Sequence, residues 1–90
     1  MTNNEILVPL KIDLQISSAS LDGYLLKLVE TAKDFIGTEG ITLRDDVPDG
    51  MLVEMYAAYL YRHRRENVPM PRSLRYALNN RLFAEKARVT

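Results

Sequence analysis

Met51-Leu52-Val53-Glu54-Met55-Tyr56-Ala57-Ala58-Tyr59-Leu60-Tyr61-Arg62-His63-Arg64-Arg65 decides the fold. Leu52, Tyr56, Tyr59, Leu60 and His63 recur at helical spacing, and Glu54, Ala58, Tyr61, Arg62 and Arg65 fall on the opposite side. The spacing predicts a helix from about Pro48 to Arg65, with Tyr61 turned outward. Asp45, Asp46 and Asp49 around Pro48 mark its start, because acidic groups and an early proline suit a helix N-terminus. Downstream, Pro69-Met70-Pro71 breaks the pattern, and Pro71 is placed to open a last helix running to about Glu85. That helix turns Leu74, Ala77, Leu78 and Leu82 inward. Arg72, Arg75, Asn79 and Lys86 form a polar stripe beside them.

Working back toward the N-terminus, Leu21, Leu25, Leu28, Ala32 and Phe35 predict another helix. Ser20 is its expected cap and Gly37 and Gly40 its expected stop. Residues 5–16 read either as a short helix with Pro9 in its first turn or as a strand with Leu10, Ile12, Leu14 and Ile16 alternating; the short helix is preferred. The fold class is therefore all-α: a small helical bundle of three to four helices with a short N-terminal helix or extended segment. Residues 1–90 form a single domain, with 1–8 as a flexible lead and 86–90 as a short tail.

Composition narrows the function. The 90 residues include no cysteine and one histidine, so disulfides and thiolate metal sites are excluded. No stretch approaches the ~20 apolar residues that a membrane helix needs. The start, Met1 to Glu5, lacks the basic region of a signal peptide, and a soluble intracellular protein is expected. Apolar residues make up 47% of the chain, more than a thin bundle hides, so part of them is expected to meet a partner. Net charge is zero, yet residues 1–50 hold four basic and nine acidic groups, and residues 51–90 eight basic and three acidic. A chain with an acidic half and a basic half suits head-to-tail association, or a basic face turned to nucleic acid or an acidic protein.

No catalytic, cofactor or metal residues are assigned. His63 lacks a nucleophile or carboxylate partner in any motif, and reads as a structural or interface histidine. Asp45, Asp46 and Asp49 lack the alternating oxygen ligands of a calcium loop. Interface candidates are Tyr61, Arg62, Arg65, Arg72, Arg75 and Tyr76 on the basic side, and Asp34, Asp45 and Asp46 on the acidic side, since tyrosine and arginine are enriched at interfaces. The competing readings are a solvated face for the tyrosines and simple helix-dipole complementation for Arg62, Arg64 and Arg65.

The order of elements resembles the head–tail connector proteins of tailed phages, also called head-completion or adaptor proteins. The likeness is carried by Leu10-Lys11-Ile12-Asp13, the serine-rich turn, Leu21 to Ala32, Glu39-Gly40-Ile41, Tyr56 to Arg65, and the step Met70-Pro71-Arg72 before Leu74 to Phe83. It spans about residues 10–85. The chain departs from longer relatives in having almost nothing after the last helix to contact a portal. The resemblance implies a virion structural protein without enzymatic activity or cofactor, made in the bacterial host cytoplasm and acting at the head–tail junction after viral DNA packaging. Its expected partners are further copies in a ring, usually dodecameric, the portal protein, a neck or tail-completion protein, and genomic DNA passing through without sequence-specific contact. The alternative is a small helix-turn-helix DNA-binding protein that reads bases with Arg72, Arg75 and Asn79 on the helix from about Pro71 to Glu85.

Overall fold

The computed structural model describes residues 1–87, which form four helices: α1 (Asn3–Leu14), α2 (Asp22–Thr38), α3 (Val47–Glu66) and α4 (Arg72–Ala87). No strand occurs among the described residues. The all-α expectation holds. The tail expected at 86–90 differs, because Lys86 and Ala87 belong to α4; residues 88–90 lie outside the described residues.

The start of the chain departs from the sequence reading. Residues 3–8, expected within a flexible lead, instead form the first turns of α1, and Thr2 caps them. The Thr2 hydroxyl accepts from the Glu5 amide (3.1 Å), and the Glu5 carboxylate accepts from the Thr2 amide (2.6 Å). This capping box satisfies two amide donors at the helix start. Pro9 consequently lies inside the helix rather than in its first turn. An interior proline costs roughly 3 kcal/mol. Burial of Ile6, Leu7 and Leu10, at about 1.5–3 kcal/mol each, exceeds that cost. Ile12 is 73% exposed while Leu10 is fully buried, so the alternating pattern is incidental.

The helix α2 is turned by roughly 50° relative to expectation, taking 3.6 residues per turn. Its buried stripe is Leu25, Val29, Ala32 and Ile36, whereas Leu21 and Phe35 are exposed. Ser20 does not cap it; Leu21 occupies that position without a side-chain bond, and Ser20 bonds Ser18 instead. Gly37 remains helical, and Gly40, at φ +99°, is where the chain turns away. A side chain there would need left-handed backbone, which glycine takes cheaply.

The helix α3 is central and packs against the other three. Asp46 caps it, accepting from the Asp49 amide at 3.0 Å. Because α3 has neighbours on several sides, Ala58, expected to face outward, is 1% exposed. Its small side chain permits close helix approach. His63, expected on the apolar face, lies exposed at the C-terminal end with Nδ1 2.6 Å from the Val68 carbonyl oxygen. The helix α4 follows the sequence reading: Leu74 and Leu78 are buried and Ala77 and Leu82 half-buried, with its main packing against α3.

Candidate interaction surfaces

Between α1 and the first half of α3 runs an open groove of about 550 Å³. Its floor is apolar, formed by Ile6 and Pro9 of α1 and Val47, Met51 and Met55 of α3. Met51 is 60% exposed, a large apolar side chain left in water. Carboxylates stand at both ends: Glu5, Asp45 and Asp46 at one, Asp13 and Glu54 at the other. Several are partly neutralised. The Met1 ammonium pairs with Asp45, Arg44 with Asp46 (3.6 Å) and Arg62 with Asp13 (3.2 Å). Glu54 has no ion-pair partner among the described residues. Burial pushes its carboxyl up to about 7, the charge and hydrogen bond of Asp13 push the same way, and Arg62 opposes them. Arg62 already pairs with Asp13, and Glu54 beside them is held toward its protonated form.

The second surface is the outer side of α4. Tyr76 is 61% and Phe83 77% exposed. At 3.6 residues per turn they share one stripe with Arg72, Asn79 and Lys86. Phe83 joins that stripe because it lies seven residues, about two helical turns, after Tyr76. Arg75, at the stripe's edge, is held by Glu39, which caps the end of α2, at 3.2 Å and by the Met70 sulfur at 3.4 Å.

The third is the basic end of α3. Its arginines are used within the molecule. Arg64 donates to the Tyr24 hydroxyl (2.7 Å) and lies 5.0 Å above that ring. Arg65 donates to the Tyr61 hydroxyl (3.1 Å) and stacks on its ring at 5.7 Å. Tyr61 is not outward but half-buried against Tyr24, with ring centroids 6.5 Å apart. The cluster ties α2 to the end of α3.

A buried ionic latch, which the sequence reading missed, holds α4 to the rest. Asp49 is 1% exposed and receives Arg81 through both oxygens, Nε at 2.9 Å and Nη2 at 3.2 Å. It also accepts the Arg44 amide at 2.7 Å. Arg81 further donates to Glu85 (2.9 Å) and to the Thr42 carbonyl (2.6 Å). Burial pushes the Asp49 carboxyl up, but the Arg81 and Arg44 hydrogen bonds and charges outweigh it and hold it below its usual range.

The structure thus brings Asp45 and Asp46 together at one groove end, and Arg72 and Tyr76 together on α4. Arg62, Arg65 and Tyr61 sit together at the end of α3 in intramolecular contacts. Asp34 is exposed on α2, outside the groove lining. Among the described residues, no group of three or more histidine, cysteine, aspartate or glutamate side chains is arranged to hold a metal ion. No helix of the described residues is long and apolar enough to cross a membrane. No protein-family model, curated protein or solved structure matches the chain.

Proposed function

We propose that the chain is a structural subunit of a tailed phage's head–tail junction. Copies form a homo-oligomeric ring beneath the portal, extend the DNA channel and present a platform for the neck or tail-completion protein. The phage context rests on the sequence resemblance. The observation that carries the oligomeric part is the pair of unlike surfaces: an apolar groove ended by carboxylates on α1 and α3, and an aromatic stripe ended by cations on α4. A subunit in a ring meets its two neighbours through two different patches. Scattered exposed apolar residues need no explanation, but apolar residues grouped with complementary charge do.

The test is imaging of particle necks together with a deletion of this coding sequence. Density for a closed ring of helical subunits under the portal, and deletion particles that package DNA yet lack tails, are expected. Tailed particles without the protein would end this reading.

The DNA-reading alternative draws on the same α4 stripe, where Arg72 and Asn79 are exposed. Two exposed aromatic rings on that stripe suit a protein surface better than a phosphate backbone. Sequence-selective duplex binding by the free protein, steeply weakened by salt and lost in Arg75→Ala, would favour it instead.

A further inference from the structure

Resting on the ring reading, we propose that the groove between α1 and α3 receives the outer stripe of α4 from a second copy of this chain. Three features match the two surfaces. The first is length. Tyr76 and Phe83 are seven residues apart, roughly 10.5 Å along a helix. The groove runs from Glu5 to Asp13 on α1 and from Asp46, the cap of α3, to Glu54 within it, about 12 Å in each case. The two rings therefore fit over its floor of Pro9, Met51 and Met55. Thioethers suit this role, because a flexible, polarizable side chain packs well against ring edges.

The second feature is charge order. Arg72 and Lys86 lie outside the two rings, roughly 21 Å apart. Carboxylates lie at both ends of the groove, Asp45 and Asp46 at one and Asp13 and Glu54 at the other. The Met1 ammonium, Arg44 and Arg62 already pair with Asp45, Asp46 and Asp13, and an incoming cation would share these partners. Seating the stripe puts one long cationic side chain at each end. The sequence of chemistry, cation–ring–ring–cation, meets acid–apolar–apolar–acid. Neither Arg72 nor Lys86 makes an ion pair among the described residues, so docking breaks no existing salt bridge on the α4 side.

The third is topology. The groove is built by α1 and α3, whereas the stripe belongs to α4 on its solvent side. A contact between unlike patches leaves a free groove on one copy and a free stripe on the other. It propagates until the ring closes. The Asp49–Arg81 latch fixes α4 to α3 and so sets the angle between the two patches. That angle determines how many copies close the ring.

The absence of native cysteine allows a direct test with the full chain. Copies carrying Met51→Cys are mixed with copies carrying Phe83→Cys under mild oxidation. Disulfide-linked dimers are expected in the mixture, while each variant alone stays unlinked. Phe83→Ala is expected to weaken self-association, measured by sedimentation, by roughly 30-fold, the effect of removing an aromatic anchor of about 2 kcal/mol. Its helical content is expected to be unchanged, since the ring is exposed. Linkage of either variant to itself would mean a symmetric contact and overturn the assignment. Rings in the wild type that Phe83→Ala leaves intact, with no linkage in the mixture, would overturn the groove contact while leaving the ring reading standing. A chain that neither associates nor links at any concentration would overturn this inference, and neck imaging would then judge the ring reading separately.

Discussion

Asp49 and Glu54 lie five residues apart on one helix and meet opposite fates. Asp49 is sealed under α4, receives a bidentate arginine and a backbone amide, and keeps its charge. Glu54 lies half-buried beside another carboxylate and is pushed toward neutrality. The first arrangement is closed over by α4. The second lines the open groove. A fold that satisfies one buried acid with three donors and leaves another against Asp13 separates the part that holds the molecule together from the part open to a neighbour. Breaking the latch should therefore cost stability, and altering the groove should change titration and association far more than folding.

The largest effect is expected at Arg81. Arg81→Ala leaves Asp49 buried with only the Arg44 amide and the Arg44 guanidinium at 3.9 Å to offset its charge. The loss is expected near the lower end of the about 3–5 kcal/mol for a broken buried pair. Urea denaturation at pH 7 would measure it. Removing Asp49 as well should return part of that loss, because no orphaned charge then remains. A double variant as unstable as the sum of the singles would show that the two side chains act independently. The pH dependence has a definite sign. Asp49 is held below its ordinary value, so its contribution is present above the unfolded aspartate value near 3.8 and is lost as pH falls through the lower folded value.

Glu54 reverses that sign. Its folded carboxyl titrates near 7 against 4.5 when unperturbed, so the folded state binds the proton more tightly. Stability is then fully present below about 4.5 and declines as pH rises from there through about 7. Glu54→Gln should abolish this decline and raise stability at pH 8 by ~1 kcal/mol, a figure reduced for solvent screening at a half-exposed site. Thermal melts at pH 5 and pH 8 test it. A wild-type melting temperature that rises across this window through Glu54 would contradict the groove electrostatics.

This contrast explains what could be read from the residues. Helices α2, α3 and α4 are written in apolar periodicity, and the last was placed to within two residues. Periodicity reports that a helix has an apolar side, not how many neighbours it has. Hence the rotated stripe of α2 and the buried Ala58 of α3. The helix α1 carries a signal in Thr2-Asn3-Asn4-Glu5, a capping-box spacing, but Pro9, which suits a helix's first turn, points to a later start. The latch was legible in principle. Asp49 precedes Leu52 and Tyr56 at inward spacing, and Arg81 lies between Leu78 and Leu82. Opposite charges on two apolar stripes predict a buried pair only once those helices are known to face each other. The groove depends on α1 lying beside α3, a tertiary fact with no local signature.

The smallest effect on stability, and the finest probe of the comparison, is expected at Arg62. Its pair with Asp13 is exposed, at 3.2 Å, and such pairs contribute only ~0–1 kcal/mol. Arg62→Ala should therefore barely move the denaturation midpoint. Its electrostatic role is larger than its energetic one. Arg62 is the positive charge that opposes the upward shift of Glu54, while Asp13 promotes that shift. Without Arg62, the Asp13 charge acts on Glu54 unbalanced, and the Glu54 titration should move above about 7. Carboxyl carbon NMR across pH 5–9 follows that movement directly. A downward shift would mean that Asp13 swings away from Glu54 once its arginine is gone, and that the carboxylate pair at this end of the groove is held in place by Arg62 rather than by the packing of α1 on α3.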